Sequence, residues 1–172
     1  MRKSDMVVMP QFFDRYIALV EDMELSEALR HHAALVPAAQ AADYARLADR
    51  TYAPGKWTLK EVLQHVIDNE RVQAYRALRF ARNDQTALPG YDENHFAQHT
   101  GAQARSLDSL VAEFAAVRAA TIALFDSFDA EMLQREGTAS GIRITPLGLG
   151  FMLVGHQLHH AEVVTARYLS LV

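Results

Sequence analysis

Residues 58–82 read TLKEVLQHVIDNERVQAYRALRFAR, and this stretch decides the fold class. Thr58 and Glu61 have the T-x-x-E spacing of a capping box, in which each side chain satisfies an orphan backbone N–H of a helix's first turn. Leu59, Val62, Leu63, Val66 and Ile67 follow at three- and four-residue spacings, the period of one helix face. The pattern runs to about Arg82, where RNDQTALPG breaks it. A helix of 25 residues is about 37 Å long.

Working outward, the other segments read the same way. Upstream, PQFFDRYIALVE (10–21) opens with a proline at a plausible first helical position, and Glu24 to about Val36 is helical until Pro37. AAQAADYARLA then predicts a short helix, and TYAPGKW a turn. Downstream, GYDENHFAQHTGAQ predicts a connection with one helical turn in it. Ser106 caps a helix to about Phe128, with Leu110, Val111, Phe114, Val117, Ile122 and Phe125 as its apolar stripe. REGTASGIRITP is the one β-like piece, a small hairpin turning at Ser140-Gly141. Thr145 caps the last helix, with Pro146 at its first position, and this helix is expected to reach Leu169. Four long helices with shorter pieces between them predict an all-α bundle.

Composition bounds the function. At 172 residues a single domain, 1–172, is expected, long enough to bury a real core. A net charge of −4 leaves no electrostatic footprint for nucleic acid or an anionic membrane. The absence of cysteine excludes disulfides, thiolate ligands and a cysteine nucleophile, and fits a reducing compartment. The N-terminus lacks the apolar run of a signal peptide, and the longest apolar run, Pro146 to Gly155, is too short to span a bilayer. A cytoplasmic location with no membrane or nucleic-acid partner is the expectation.

Eight histidines remain to be explained. His156 and His160 are i and i+4 within FMLVGHQLHHAEVV (151–164), so their rings share one helix face. Paired imidazoles at that spacing can hold a divalent metal, and a third from a facing helix would leave an open position for water or substrate. His65, on the helix that starts at Thr58, is the natural third. Each also has a plainer reading: H-x-x-x-H alone is weak evidence, and His65 alone fits a hydrogen-bonded core histidine. His159 is one residue off the pair's face, either exposed or a donor behind the ligands. His95 and His99 form a rival i,i+4 pair, read as solvated loop residues, and adjacent His31 and His32 read as surface. Asp68, three residues past His65, is placed to act as an acceptor or base near a metal. Alternatively Asp68 and Glu70 pair with Arg71 or Arg76, or face solvent. Trp57 and Tyr91 read as packing, and Gly155 as a point where another helix or a ligand comes close.

The segments YAPGKWTLKEVLQHVIDNERVQAYRALRFARND, LPGYDENHF and LVGHQLHHAEVVTARYL resemble, in order and spacing, the marker segments of the DinB-like family, and the resemblance runs from about Pro10 to Leu169. It implies a four-helix up-down-down-up bundle, commonly dimeric. It also implies a metal site of one histidine from the second long helix and two from the last, here His65, His156 and His160. That His65 lies beside the other two is implied by the resemblance; the residues alone permit it.

Three neutral imidazoles would leave a metal its full charge, suited to acidifying water or binding a substrate thiol. Imidazole suits Ni²⁺ and Zn²⁺ foremost, with Fe²⁺ and Mn²⁺ as alternatives. The resemblance supports a thiol-S-transferase or a hydrolase acting on a small molecule, with a low-molecular-weight thiol among the substrates. A non-catalytic, metal-stabilised stress or binding protein is the reading of a different class.

Overall fold

The computed structural model describes residues 1–171. Its helices are α1 (Asp14–Ile17), α2 (Leu25–His31), α3 (Ala41–Leu47), α4 (Leu59–Ala81), α5 (Glu93–Gln98), α6 (Leu107–Asp126), α7 (Ala130–Gln134) and α8 (Pro146–Val163). One two-stranded antiparallel hairpin, β1 (Gly137–Ala139) and β2 (Ile142–Ile144), precedes α8. No described helix is long and apolar enough to cross a membrane.

Four helices make the bundle: α2, α4, α6 and α8. Phe80, late in α4, clusters with Phe125, late in α6, and with Phe151, early in α8. Val62 and Leu63, early in α4, cluster with Leu110, early in α6, and with Val164 and Tyr168 beyond α8. Helices α4 and α6 therefore run parallel, and α8 runs against both. Leu25 lies against Gly150, while the Ala34 carbonyl accepts from Gln157, so α2 runs with α8. This is the up-down-down-up order.

Local chemistry explains the boundaries. The Thr58–Glu61 capping box forms as expected, with Thr58 N–H donating to Glu61 at 2.7 Å and Glu61 N–H to Thr58 Oγ1 at 3.2 Å. Ser106 and Thr145 cap α6 and α8 through Ser109 N–H and Gly148 N–H. Ser140 (φ 53°) and Gly141 (φ 76°) both take positive φ, as a two-residue hairpin of right-handed twist requires.

Three expectations are corrected. The helix expected over residues 10–21 is the single turn α1, set in an arm that crosses α8. Phe12 takes a positive φ of 75°, which no helix accommodates, and at the other end the Val20 carbonyl is bound by Lys3. The helix expected to reach Val36 stops at His31, because the Leu29 and His32 carbonyls turn to the Arg118 guanidinium, at 3.2 and 2.6 Å. The last helix keeps α geometry only to Val163 and continues as a π-helical turn, Val164–Tyr168, then a 3₁₀ turn. There Tyr168 Oη donates to the Trp57 carbonyl at 2.6 Å and ties the end of the helix to the loop before α4.

Two apolar clusters fill the interior, one around Phe80, Phe125 and Phe151 and the other around Val66, Leu110 and Tyr168. Buried polar side chains lie among them, including His65, Asn69, Glu70 and Gln73 of α4, Arg118 of α6, and His156 and Gln157 of α8. Arg118 and Glu70 pair through two parallel bonds of 2.8 Å, and Gln157 joins them at 3.0 Å. Of the alternatives open for Glu70, neither Arg71, Arg76 nor solvent is its partner; Arg118 is, while Asp68 lies 3.9 Å from Arg71.

Gly155 sets how closely α1 meets α8. A Cβ there would lie 1.9 Å from the Tyr16 carbonyl oxygen, which is backbone and cannot swing aside. Gly155→Ala is therefore expected to cost about 1–3 kcal/mol or more, as overpacking of a tight interior does. Urea unfolding of the variant measures the loss; a midpoint equal to that of the wild type would contradict the packing described.

Candidate metal centre

Helices α4 and α8 bring His65, His156 and His160 together. His65 Nε2 lies 3.0 Å from His156 Nε2, and His160 Nε2 lies 3.1 Å from the same atom. Ligand atoms of the three residues all fall within 4.8 Å of one another, and among the described residues no other group of three or more His, Asp or Glu side chains does so. The one-turn spacing on α8 aligns two rings, and α4 presents the third from across the interface. Neighbouring rings hold them: Trp57 lies 5.0 Å from His65, and Tyr16 sits edge-on to His156 at 5.3 Å and to His159 at 5.2 Å.

Burial sets the protonation of the cluster. It lowers His65 to about 4 and His160 to about 3, with neighbouring imidazoles adding to the effect on His160. His156, also buried, is held well below its ordinary value, by burial first and then by His160 and His65. At neutral pH all three are uncharged, the form of imidazole that ligates a metal. His160 Nδ1 is buried and has no hydrogen-bond partner. Three neutral nitrogen donors converging on one point, on rigid helices, fit a divalent cation.

A cavity of about 240 Å³ opens beside His160, lined also by Tyr52, Lys56, Trp57, Asn94 and Tyr168. Two larger cavities, of about 380 and 450 Å³, lie on the outer face of α8 and beside residues 86–91, and neither is lined by a histidine of the cluster.

The remaining sequence candidates fall elsewhere. Asp68 is half-buried, accepts from Gln64 Nε2 at 2.9 Å and lies 3.9 Å from Arg71. Burial raises its carboxyl above the usual range, and it does not belong to the histidine group. His95 and His99 are exposed on α5 and at its end, where the His99 ring bonds the His95 carbonyl at 2.7 Å. His31 is exposed; His32 is half-buried, its ring edge-on to that of His31. His159 is half-buried against Tyr16 rather than free in solvent.

Sequence reasoning missed the polar chain behind His156. Asn69 Nδ2 faces His156 Nδ1 at 3.2 Å, Gln73 Nε2 donates to Asn69 Oδ1 at 3.0 Å, and Arg76 Nη1 donates to Gln73 Oε1 at 3.1 Å. Tyr91 Oη also donates to Asn69 Oδ1, at 3.3 Å. The available signal was periodicity: positions 65, 69 and 73 follow at intervals of four, so polar residues recur on one face of a buried helix.

The lowered histidine values make the fold acid-sensitive. Below pH 6.5 the unfolded chain takes up protons on these imidazoles and the folded chain does not, so stability is full above about 6.5 and falls as the pH drops toward the folded values of about 4 and 3. The slope reaches about 1.4 kcal/mol per pH unit for each such histidine. Urea midpoints of chelator-treated protein should fall between pH 7 and 5, and less so in His65→Gln; equal slopes in the two proteins would refute this origin.

Among solved structures the chain is similar to YfiT from Bacillus subtilis, described as a probable metal-dependent hydrolase with an unusual four-helix bundle topology. The match has a TM-score of 0.66 at 18% identity and covers 92% of this chain and 87% of that one. At that identity the likeness concerns the fold. No curated protein matches the chain. The sequence profile of the DinB superfamily matches residues 12–164, nearly the whole of the bundle. With the fold and the profile in agreement, this chain belongs to the DinB superfamily.

Proposed function

We propose that this chain is a divalent-metal-dependent enzyme that acts on a small molecule, with His65, His156 and His160 as its ligands and hydrolysis as its reaction. The observation that carries the reading is the junction of two features. Three neutral Nε2 atoms converge, and His160 also lines a cavity. A purely structural site would be closed off by a fourth protein ligand. The description of YfiT as a probable metal-dependent hydrolase supports the same reading. When bound there, Ni²⁺ or Zn²⁺, or alternatively Fe²⁺ or Mn²⁺, supplies a Lewis acid that acidifies the group it holds.

The chain's own residues do the rest. The cavity of about 240 Å³ is smaller than a typical drug-sized site, so the substrate is small. Lys56, on its wall, offers a cation to an anionic part of that substrate. Trp57 and Tyr52 give it apolar walls and restrict water. Asp68 is the proposed proton acceptor: it lies one turn from His65, and burial raises its carboxyl above the usual carboxylate range. Thiol transfer is the second reading. A neutral donor set accepts a thiolate as readily as a hydroxide, and with no cysteine in the chain any thiol is a substrate's.

Metal analysis of protein purified without a histidine tag tests the centre. Replacing His65, His156 or His160 with Ala should remove most bound metal, and His31→Ala or His95→Ala none; full occupancy in His156→Ala would sink the assignment. Asp68→Asn should keep the metal and lower turnover of small ester or amide substrates by about 10²-fold or more; unchanged turnover would clear Asp68 of the role. With Co²⁺ in the site, a spectral response to small thiols that is lost in His160→Ala favours transfer. A response to carboxylates alone favours hydrolysis. Silence toward every added ligand means a closed metal and a non-catalytic protein.

A further inference from the structure

The chain from Arg76 to His156 has a direction that its chemistry enforces. Arg76 is buried and has no acidic partner among the described residues; its guanidinium donates to the Pro89 carbonyl at 2.7 Å, to Ser140 Oγ at 3.0 Å and to Gln73 Oε1 at 3.1 Å. A guanidinium has no acceptor. Gln73 must therefore turn its oxygen to Arg76 and its nitrogen to Asn69. Asn69 must accept with its oxygen, which leaves its nitrogen 3.2 Å from His156 Nδ1. An amide nitrogen only donates, so His156 Nδ1 accepts and carries no proton. The one proton of neutral His156 then sits on Nε2, aimed at His65 Nε2 and His160 Nε2, 3.0 and 3.1 Å away. All four residues are buried, so reversing one amide alone would set donor against donor at a cost no solvent relieves.

His156 Nε2 is the atom that must be bare to ligate. His65 and His160, by accepting there, already have bare Nε2 atoms and carry their protons on Nδ1. His156 alone is held in the opposite tautomer. We propose that the Arg76–Gln73–Asn69 chain restrains metal affinity by holding His156 as its Nε2–H tautomer. This rests on the reading of the three histidines as ligands. Metal entry then requires the proton to leave Nε2 and one to be taken up at Nδ1, with His156 neutral before and after. It also requires Asn69 to turn its oxygen to the new Nδ1–H, which leaves Asn69 and Gln73 nitrogens facing each other. Asn69, Gln73 and Arg76 are thus positioning residues whose arrangement opposes loading of the site.

The test lies in the sign of an affinity change. In Gln73→Glu, a carboxylate can accept from Arg76 and from Asn69 Nδ2 together, which frees Asn69 Oδ1 to accept from His156 Nδ1–H. Asn69→Asp accepts from both Gln73 and His156 directly. Each variant should bind Zn²⁺ about 10-fold tighter or more, in competition with a chelating dye, because a partner that supports a ligating imidazole changes affinity by about that factor. Damage to the fold would weaken binding instead. Ring ¹⁵N shifts of chelator-treated wild type should place the His156 proton on Nε2, and those of Gln73→Glu on Nδ1. Zn²⁺ affinity equal to or weaker than wild type in both variants, with both still cooperatively folded, overturns the proposal. So does a His156 proton found on Nδ1 in chelator-treated wild type. Unchanged Zn²⁺ binding in His65→Ala and His160→Ala overturns the ligand reading and the restraint on affinity with it, while the ring shifts still report whether the chain sets the tautomer.

Discussion

The two parallel bonds between Arg118 and Glu70 are the constraint from which the rest of the bundle takes its register. Both residues are about 1% exposed. Charges so placed are tolerable only when paired and fully hydrogen-bonded, and loss of either partner would leave the other uncompensated. The guanidinium meets Glu70 of α4, Gln157 of α8 and the carbonyls of Leu29 and His32 at the end of α2. One side chain thus fixes all four bundle helices at the same level. Glu70 lies five residues from His65, and Gln157 is the neighbour of His156. The pair that satisfies Arg118 therefore also sets the level at which α4 and α8 face each other, and with it the meeting of the three imidazoles.

Rigidity at this level comes from α8. Every residue from Pro146 to Gln157 is buried, so the helix cannot turn to show His156 to solvent. Gly155 lets the Tyr16 backbone close over that helix, and Tyr16 in turn lies against the His156 and His159 rings. Regular α geometry ends one turn past His160, where the π-helical turn begins. The cavity lies at this point, between the end of α8 and the loop that carries Lys56 and Trp57. The geometry of the three histidines is set by packed helices and the cavity beside them by loops, the division that functional sites commonly use.

Much of this was legible in the residues. The capping box at Thr58 and the caps at Ser106 and Thr145 were, because capping is local chemistry. The Ser140-Gly141 turn was legible for the same reason, since positive φ at two successive positions selects few residue pairs. The histidine pair on α8 could be read from spacing, whereas placing His65 beside it took the family resemblance, because helix pairing is not a local property. What escaped was long-range. Nothing near Leu29 says that its carbonyl would be claimed by Arg118, 89 residues away, so the early end of α2 could not be foreseen. Arg118 itself sits among Leu110, Phe114 and Phe125 on the buried side of α6, where an apolar stripe was expected. A charged residue on that face reads as exposed until its partner is known. The Asn69 chain escaped because hydrogen-bond direction depends on Arg76, and Arg76 is read as surface when its neighbours are unknown.

Charge balance in the interior decides what the proposed centre would take. Glu70 is neutralised by Arg118, so it offers nothing to the histidines. Arg76 adds a positive charge behind His156 with no acidic partner among the described residues. The histidines are neutral, since burial keeps protons off them. A divalent cation held there would add its whole charge to an interior that already carries one unbalanced positive group. Buried charge is tolerable when compensated, and nothing in the donor set compensates it. The missing negative charge has to arrive from the side that is open, the cavity beside His160. Under the proposed function, a neutral ligand set in front of an unpaired arginine would favour an anion at the open position, a hydroxide or the ionised end of a substrate, and Lys56 at the cavity wall would favour the same kind of group.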